Sequence, residues 1–501
     1  MSSPIVPSSS SATRLARFFE RVTDACLGLM LVIVPGLMAV SFEQAELYKQ
    51  AVLLALVSVA LLAWCLSKAC ARRVELAFGW SQLFLGLFGI TTLISAGLSV
   101  HRYLSFIGQF GQRAWAASTV CALIFLAWLI TERTRTVSQL YNTIFYFLLG
   151  CLGVGVVGSW SLWQQAPLNA AGSGYALAVF MAAALVLAAG LVFQGCRSPQ
   201  CWLCAPRVMG ILARLAVWLV SVLALVILVA VNFWVAWMMV FGGMVVVILL
   251  ERISTRAPRK FSLRGLGPVL IGALALGYLI IAPAGHISLP SEVALSQTAS
   301  WEIAQQALVA RPAFGIGPGT WVYAHALYHS PLANLSPFWA TYFDRGISLM
   351  LTLLATTGIV GILAFFLLIL AVLGFTLREI MCMRRSVNHT EGWQVIFLPL
   401  GGWVALLVAM PLYNFNLAHQ IAFWMLTGCL VGFGTRRRVL FDGSKGWRAY
   451  ILPAKATLVG LLVLSIWVLG GQTLWAEVRL ARTLETYQAG QLSADAVIEQ
   501  L

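Results

Sequence analysis

Runs of about twenty consecutive apolar residues recur along most of the chain, and this repetition constrains the fold more than any other feature. Each run, as a helix, is long enough to cross the hydrocarbon core of a bilayer. No water is available there to pair with backbone N–H and C=O groups, so a spanning segment must be a helix that satisfies them internally. The 501 residues are 60% hydrophobic and only 10% charged, against about 25% charged in soluble domains. The chain is therefore predicted to be a polytopic all-α membrane protein.

The length rule predicts a bundle of about 12–13 transmembrane helices. Residues 208–250 are interpreted as two helices interrupted at Asn232-Phe233-Trp234, because one helix of about 43 residues would reach roughly twice the hydrocarbon thickness. The membrane domain covers residues 1–475, with no cleavable signal peptide, and residues 476–501 are predicted to begin a helical, repeat-like tail. The predicted spans lie near 22–42, 46–67, 78–98, 114–131, 141–163, 173–194, 208–231, 233–250, 266–284, 347–375, 394–413, 417–434 and 452–475.

Lysine and arginine are distributed unevenly between alternate loops. If the N-terminus is inside, most of the 32 basic residues fall in inside loops, as the positive-inside rule requires. This predicts a cytoplasmic N-terminus and an outside C-terminus. The formal net charge of +15 is then explained by topology, and nucleic-acid binding is not expected. The basic residues predicted to lie outside are Lys49, Arg102, Arg113, Arg311, Arg345, Arg479 and Arg482.

Familiar catalytic and metal-binding motifs are absent. The chain has no G-x-x-x-x-G-K-[ST], H-E-x-x-H or G-x-S-x-G sequence. No carboxylate pair lies in a predicted span, which disfavours proton-coupled transport. Cys196, Cys201 and Cys204 cluster in one predicted cytoplasmic loop, but no fourth ligand accompanies them, which favours free thiols over a zinc or redox site. No metal or other cofactor is expected.

One connection, residues 285–346, is far longer than the others and lies outside in this topology. Apolar residues in its 299–309 stretch recur at helical intervals, and Arg311-Pro312 ends that helix because a residue before proline is pushed out of the α region. A turn with three glycines at 314–320 precedes a second helical stretch at 321–329. The pattern predicts one long helical loop rather than a disordered one.

Arginines beside the membrane on the outer side oppose the charge bias and so need an explanation. A guanidinium group can bind phosphate oxygens through two parallel hydrogen bonds, which predicts recognition of an anionic lipid headgroup. Solvation, or contact with ordinary lipid phosphate, is the alternative. Two loop histidines four residues apart share a helical face and are candidate general bases, with stacking or capping as the alternative. The candidates are Arg102, Arg113, Arg311 and Arg345 for phosphate binding, and His325 and His329 for proton transfer.

Three stretches of the sequence resemble the O-antigen ligases and O-antigen polymerases of bacterial envelopes. Residues 300–321, SWEIAQQALVARPAFGIGPGTW, have the tryptophan-led helix followed by P-x-x-G-x-G-x-G. Residues 351–363, LTLLATTGIVGIL, begin a span with T-G-x-x-G. Ser95-x-x-x-Ser99, leading to Ser105-Phe106-x-Gly108, is similar to the family's third-span exit. The resemblance covers most of residues 22–434.

The resemblance implies a metal-independent glycosyltransferase on the outer, periplasmic face of the bacterial inner membrane. Its donor would be a glycan on undecaprenyl pyrophosphate, and its acceptor a sugar hydroxyl of another lipid-linked glycan. Outer arginines would hold the pyrophosphate, and a loop histidine would activate the acceptor. The family's His-Asn pair is missing from residues 336–345, and its Ser-Arg pair is replaced at residues 232–237. A non-catalytic binder or flippase of lipid-linked glycans is the alternative function.

Overall fold

The computed structural model is almost entirely helical. It describes residues 10–38, 42–108, 112–166, 169–194, 208–254, 263–281, 292–331, 335, 337–385, 397–432, 435, 437–442 and 448–488. The helices in these ranges are α1 (Ser10–Ile33), α2 (Phe42–Ala71), α3 (Trp80–Gly97), α4 (Arg102–Ile107), α5 (Ala117–Arg133), α6 (Val137–Trp163), α7 (Gly174–Gln194), α8 (Val208–Val231), α9 (Trp234–Ser254), α10 (Leu263–Ile281), α11 (Gln297–Ala310), α12 (Trp321–Tyr328), α13 (Leu349–Arg385), α14 (Pro399–Ala409), α15 (Leu417–Gly432) and α16 (Arg448–Gln488). Two short strands, β1 (Arg73–Ala77) and β2 (Arg437–Asp442), form a two-stranded sheet.

The helices confirm a polytopic all-α membrane protein. Among the described residues, eight helices are long and apolar enough to cross a membrane. Every segment predicted as a span contains a helix. Of the five segments without one of these eight helices, three contain the shorter apolar helices α10, α14 and α15, and the other two contain α1 and α5, which belong to neither group. The division of 208–250 into two helices is also confirmed. Asn232 ends α8 in a left-handed conformation with φ +48°, and its side-chain oxygen accepts a hydrogen bond from Trp237 Nε1 at 2.9 Å.

The chain forms two compact units. The first comprises residues 1–26, 51–75 and 439–501, and the second comprises residues 27–50 and 76–438. In the first unit, Trp467 Nε1 donates to Ser58 Oγ at 2.7 Å and thereby joins α16 to α2. Helix α16 continues without interruption past residue 475 to Gln488. The remainder of the predicted tail, residues 489–501, lies outside the described residues, as do the three clustered cysteines.

Helix α15 occupies the interior of the second unit and is buried along its whole length. It lies against α5 at a glycine, because a Cβ atom at Gly428 would come within 2.6 Å of the Ala127 carbonyl oxygen. Small residues allow helices to approach closely in membranes, where dispersion contacts drive association. The close fit therefore sets the separation between α5 and α15 at this position.

The described part of the long loop contains the two predicted helices, which confirms its helical character. Ser296 begins α11, since its hydroxyl accepts a hydrogen bond from Ala299 N at 3.1 Å, and the helix ends just before Arg311. An apolar cluster packs this loop onto α13. Its buried members are Ile303, Ala304, Ala307, Ile316, Trp321, Ala324 and Ala355. Residues 285–291 of the predicted loop lie outside the described part of the chain.

Helix α13 is interrupted at Gly358, where φ is +66° and ψ is −168°. The glycine-rich segment 312–317 lies in this interruption and pairs with backbone groups on both sides of it. Ile359 N and Val360 N donate to the carbonyls of Pro312 and Ala313 at 2.9 and 3.0 Å. In return, Ile316 N and Gly317 N donate to the carbonyls of Ala355 and Thr356 at 3.1 and 2.9 Å. We call this arrangement the α13 junction. An unpaired backbone group is costly in a membrane, so the junction stabilises both chain segments.

Serine hydroxyls from α3 and from the connection between α3 and α4 complete the α13 junction. Ser95 Oγ donates to the carbonyl of Phe314 at 2.6 Å, and Ser99 Oγ donates to that of Ile316 at 3.0 Å. Gly317 adopts φ +118°, and a Cβ atom there would lie 2.0 Å from Ser99 Oγ and 2.5 Å from Ser105 Oγ. Gly317 therefore packs closely against Ser99 and Ser105, although the glycine and the serines belong to separate sequence motifs.

Candidate functional site

Arg345 lies just before α13, among acidic and hydroxyl groups. Its Nε lies 3.0 Å from Asp344 Oδ1, and the two side chains are 27% and 26% exposed. Burial alone would lower the pKa of Arg345, but Asp344, Tyr413 and Glu292 outweigh that effect and raise the pKa. The arginine therefore remains a cation. The backbone around it is fixed, because Ile347 N donates to Ser300 Oγ at 3.0 Å.

Glu292 connects the start of the described loop to the helix ends near Arg345. Its carboxylate accepts a hydrogen bond from Ser173 Oγ at 2.6 Å and from the Tyr413 hydroxyl at 3.2 and 3.3 Å. The Tyr413 hydroxyl is the donor in these bonds, because an ionised carboxylate can only accept.

Arg113 is close to Arg345 in the fold although the two are far apart in sequence. Its neighbour Gln112 donates a hydrogen bond to the Asp344 carbonyl and accepts one from Trp321 N at 2.8 Å. Arg113 itself lies in a short 3₁₀ turn, Arg113–Trp115, and is 6% exposed. Its NH1 donates to Gln50 Oε1 at 3.4 Å. Gln112 therefore joins three chain segments and places both arginines at the same end of the second unit.

A buried ion pair extends this polar region into the bundle. Lys49 Nζ lies 3.3 Å from Glu46 Oε1, and the side chains are 1% and 0% exposed. Lys49 also donates to the carbonyl of Ala170 at 2.8 Å, while Glu46 Oε2 accepts from Leu417 N at 3.3 Å. The carboxylate thus caps the N-terminus of α15, where the helix dipole favours negative charge. Buried ionisable groups within a membrane domain commonly mark functional regions.

His419 lies in the same region but is unsuited to proton transfer. It is 0% exposed. Nε2 lies 2.9 Å from the Ala176 carbonyl, which assigns the ring proton to Nε2, and Nδ1 accepts from Asn416 N at 3.4 Å. With both ring nitrogens occupied, this histidine orients the start of α15. The His419 ring centroid lies 6.2 Å from that of Tyr413, whose hydroxyl donates to Glu292. Glu46 accepts from Leu417 N at the same end of α15, so the ion pair adjoins the Glu292–Tyr413 pair.

The two loop histidines stack on one face of α12 and its C-terminal end, as their spacing predicts. Their ring centroids are 5.2 Å apart, and the His325 ring also lies 5.2 Å from that of Phe343. Within the described part of the chain, neither ring nitrogen of His325 has a hydrogen-bond partner. Burial, and then the nearby His329, lower the pKa of His325 from its ordinary value of 6.5. It is neutral at pH 7 and can accept a proton.

Arg102 and Arg311 occupy different surroundings from Arg113 and Arg345. Both are exposed, and Arg311 NH1 donates to the carbonyl of Leu98 at the end of α3, at 2.7 Å. The structure therefore links two of the four predicted phosphate ligands through Gln112. A single cavity lined by all four arginines stays a prediction.

The glycine-rich turn is not arranged as a phosphate-binding loop. Its N–H groups at Gly315, Ile316 and Gly317 donate to the carbonyls of Arg311, Ala355 and Thr356. They are consequently occupied in holding the α13 junction. Among the described residues, no group of three or more His, Cys, Asp or Glu side chains could hold a metal ion.

Sequence patterns do not indicate five residues of this region as site residues: Glu46, Lys49, Gln112, Glu292 and Tyr413. A signal for the ion pair was present, because Glu46 and Lys49 lie within the first turns of the second apolar run. Charges there are rare and are usually paired. Gln112 and Tyr413 carry no comparable signal, since their partners lie on distant segments of the chain.

Comparison with known proteins provides no independent assignment: no family model matches the chain, and no curated protein matches it.

Proposed function

We propose that this chain is a glycosyltransferase of the O-antigen ligase or polymerase type. It transfers a glycan from polyprenyl pyrophosphate to an acceptor hydroxyl on the periplasmic face of the bacterial inner membrane. The proposal places the N-terminus in the cytoplasm and the long loop and C-terminus in the periplasm, following the distribution of basic residues. It includes the full set of about 12–13 spans.

This proposal rests on the closeness of Arg345, Arg113 and His325 in the fold. Gln112 holds Arg113 near Asp344-Arg345, and Phe343 contacts His325 immediately before that pair. Two guanidinium groups can neutralise a pyrophosphate, and a neutral histidine nearby can accept a hydroxyl proton. This grouping of cations and a base is what such a transfer requires.

The reaction breaks the bond between the anomeric carbon of the glycan and the pyrophosphate oxygen. The acceptor oxygen forms the new bond to that carbon, and His325 takes its proton, with His329 stacked beside it. Polyprenyl pyrophosphate leaves with the electron pair of the broken bond. Arg113 and Arg345 stabilise the charge that develops on the leaving group, and positioning of the two substrates supplies much of the remaining rate. Arg102 and Arg311 would contact the donor at the loop surface.

The direct test uses purified protein reconstituted with a polyprenyl-pyrophosphate-linked glycan and an acceptor glycolipid. We expect a glycosylated acceptor and an equal amount of freed polyprenyl pyrophosphate. His325→Gln should abolish both products while donor binding persists. Donor binding or transbilayer movement without release of polyprenyl pyrophosphate would reject the transferase and leave the binder or flippase.

A further inference from the structure

Residues 331–343 form an uncharged, aromatic segment of the long loop. Its described large apolar side chains are exposed: Leu335 is 84% exposed, Phe338 47%, Trp339 71% and Tyr342 83%. We call these four residues the aromatic patch. Exposed apolar side chains that are grouped in one short segment mark an interaction site.

The aromatic patch lies between the candidate site and a membrane-crossing helix. The next residue, Phe343, contacts His325, and Asp344 and Arg345 follow directly. Helix α13, which is long and apolar enough to cross a membrane, begins at Leu349. Only a short stretch of chain therefore separates the patch from the start of that helix. Further along α13, the apolar residues Leu363, Phe366 and Leu370 are exposed.

We infer that the aromatic patch is a membrane anchor, and that its partner is the boundary between phospholipid headgroups and acyl chains. Tryptophan and tyrosine concentrate at that boundary because their apolar rings and polar tips suit its two sides. The patch belongs to the chain segment that leads directly into the membrane-crossing helix α13. Anchoring there would hold Arg345 at the level of lipid phosphates and let a lipid-linked substrate enter sideways from the bilayer.

A sugar-stacking platform is the main competing role for exposed aromatic rings. Such a platform gains affinity from charged side chains that bind sugar hydroxyls, whereas residues 331–343 contain none. Lack of charge also lowers the cost of placing the rings beneath the lipid headgroups. The bilayer is thus the partner that the chemistry of the patch favours.

Photocrosslinking in phospholipid nanodiscs tests this inference without depending on catalysis. Benzoylphenylalanine is placed singly at Trp339, at Tyr342 and, as a control, at Gln306 on the exposed face of α11. The discs contain phosphatidylglycerol and phosphatidylethanolamine and no glycolipid. We expect phospholipid adducts at 339 and 342 that exceed those at 306 by about ten-fold or more.

Equal adduct yields at all three positions, or none at 339 and 342, would overturn the anchor. Adducts that form only after a lipid-linked glycan is added would overturn it in favour of a sugar platform. Each variant is first checked for the wild-type elution volume in detergent, and Tyr342 serves if the Trp339 variant does not fold. Because the discs contain no donor or acceptor, the result stands whether or not the proposed transferase activity is found.

Discussion

At the scale of single residues, the charged groups of the second unit differ in how many partners they have. Glu46 and Lys49 form a closed pair deep in the bundle, whereas Arg345 shares its surroundings with two carboxylates and a tyrosine. A cation that is partly exposed can exchange a carboxylate for a phosphate ligand at lower cost than one fully buried with its partner. This difference makes Arg345 the more suitable ligand for a substrate.

Arg345→Lys separates a phosphate-binding role from a general membrane-anchoring role. Lysine keeps the charge and the reach but loses the planar pair of donors that matches phosphate oxygens. We expect a loss of about ten-fold or more in transfer rate, with normal expression and elution. Arg378→Lys, an exposed position near the other end of α13, is the matched control. Wild-type activity in both Arg345→Lys and Arg345→Ala would show that the residue does not act in the reaction.

The Glu46–Lys49 pair predicts strong coupling in a double-mutant cycle. Removing one member leaves the other charge buried, so Glu46→Gln or Lys49→Met alone should lower stability by about 3 kcal/mol or more. The double variant should be more stable than Lys49→Met, since no uncompensated charge remains and glutamine can still accept from Leu417 N. The stability of each variant is measured by heating the protein and determining the fraction that remains folded by size-exclusion chromatography. Additive losses would contradict the pairing.

At the scale of elements, the α13 junction explains why two separate sequence motifs occur together. Gly358 divides α13 into two helical parts, and the longer part, residues 359–385, reaches about 40 Å at 1.5 Å per residue, enough to cross a hydrocarbon core of about 30 Å. The interruption of α13 exposes backbone groups that the segment 312–317 satisfies. The T-G-x-x-G and G-x-G-x-G patterns are therefore two halves of one contact, which positions α12 and its histidine.

Gly358→Ala should destabilise the protein through this contact. The residue has φ +66°, and a Cβ atom would lie 2.5 Å from both Ala313 O and Gly315 N. We expect a clear loss of thermal stability and, because α12 is displaced, a loss of activity. Gly374→Ala on the same helix is the control, since a Cβ atom there meets nothing within 4 Å. Gly374→Ala should be neutral or slightly stabilising, and equal behaviour of the two variants would contradict the role of the junction.

At the scale of the whole molecule, the direction in which the chain crosses the membrane decides which substrates can reach the site. The predicted topology places residues 285–346 outside, and it places every cysteine in a span or an inside loop. Gln305 on α11 and Ser330, two residues beyond the end of α12, are the positions at which this can be tested. An inverted topology would put Arg345 and His325 on the cytoplasmic side, away from a periplasmic acceptor.

Cysteines introduced at Gln305 and Ser330 should react with a membrane-impermeant thiol reagent in intact cells. Native Cys382, which is exposed near the other end of α13, should react only after the cells are lysed and thus serves as an internal control. The measurement is the fraction labelled before and after lysis. Labelling of Gln305→Cys and Ser330→Cys only after lysis would invert the topology and remove the proposed donor side.

The sequence by itself determined where the helices lie. Because backbone groups in lipid must pair within their own segment, an apolar run of sufficient length implies a helix almost independently of its neighbours. Local signals in the sequence also indicated the interruption at Asn232 and the two loop helices, because caps, prolines and periodicity act over a few residues. The candidate histidines were likewise predicted to share a face from their spacing alone.

Only the tertiary structure decided which side chains meet. Gln112 lies beside Asp344 and Trp321, and Glu46 lies beside Leu417, through hydrogen bonds between segments that are far apart in sequence. Apolar surfaces of membrane helices are too alike for their sequence to specify these pairings, because shape and packing, rather than pattern, select the neighbours. That packing leaves Arg113 buried, Arg345 half-buried, and Arg102 and Arg311 exposed.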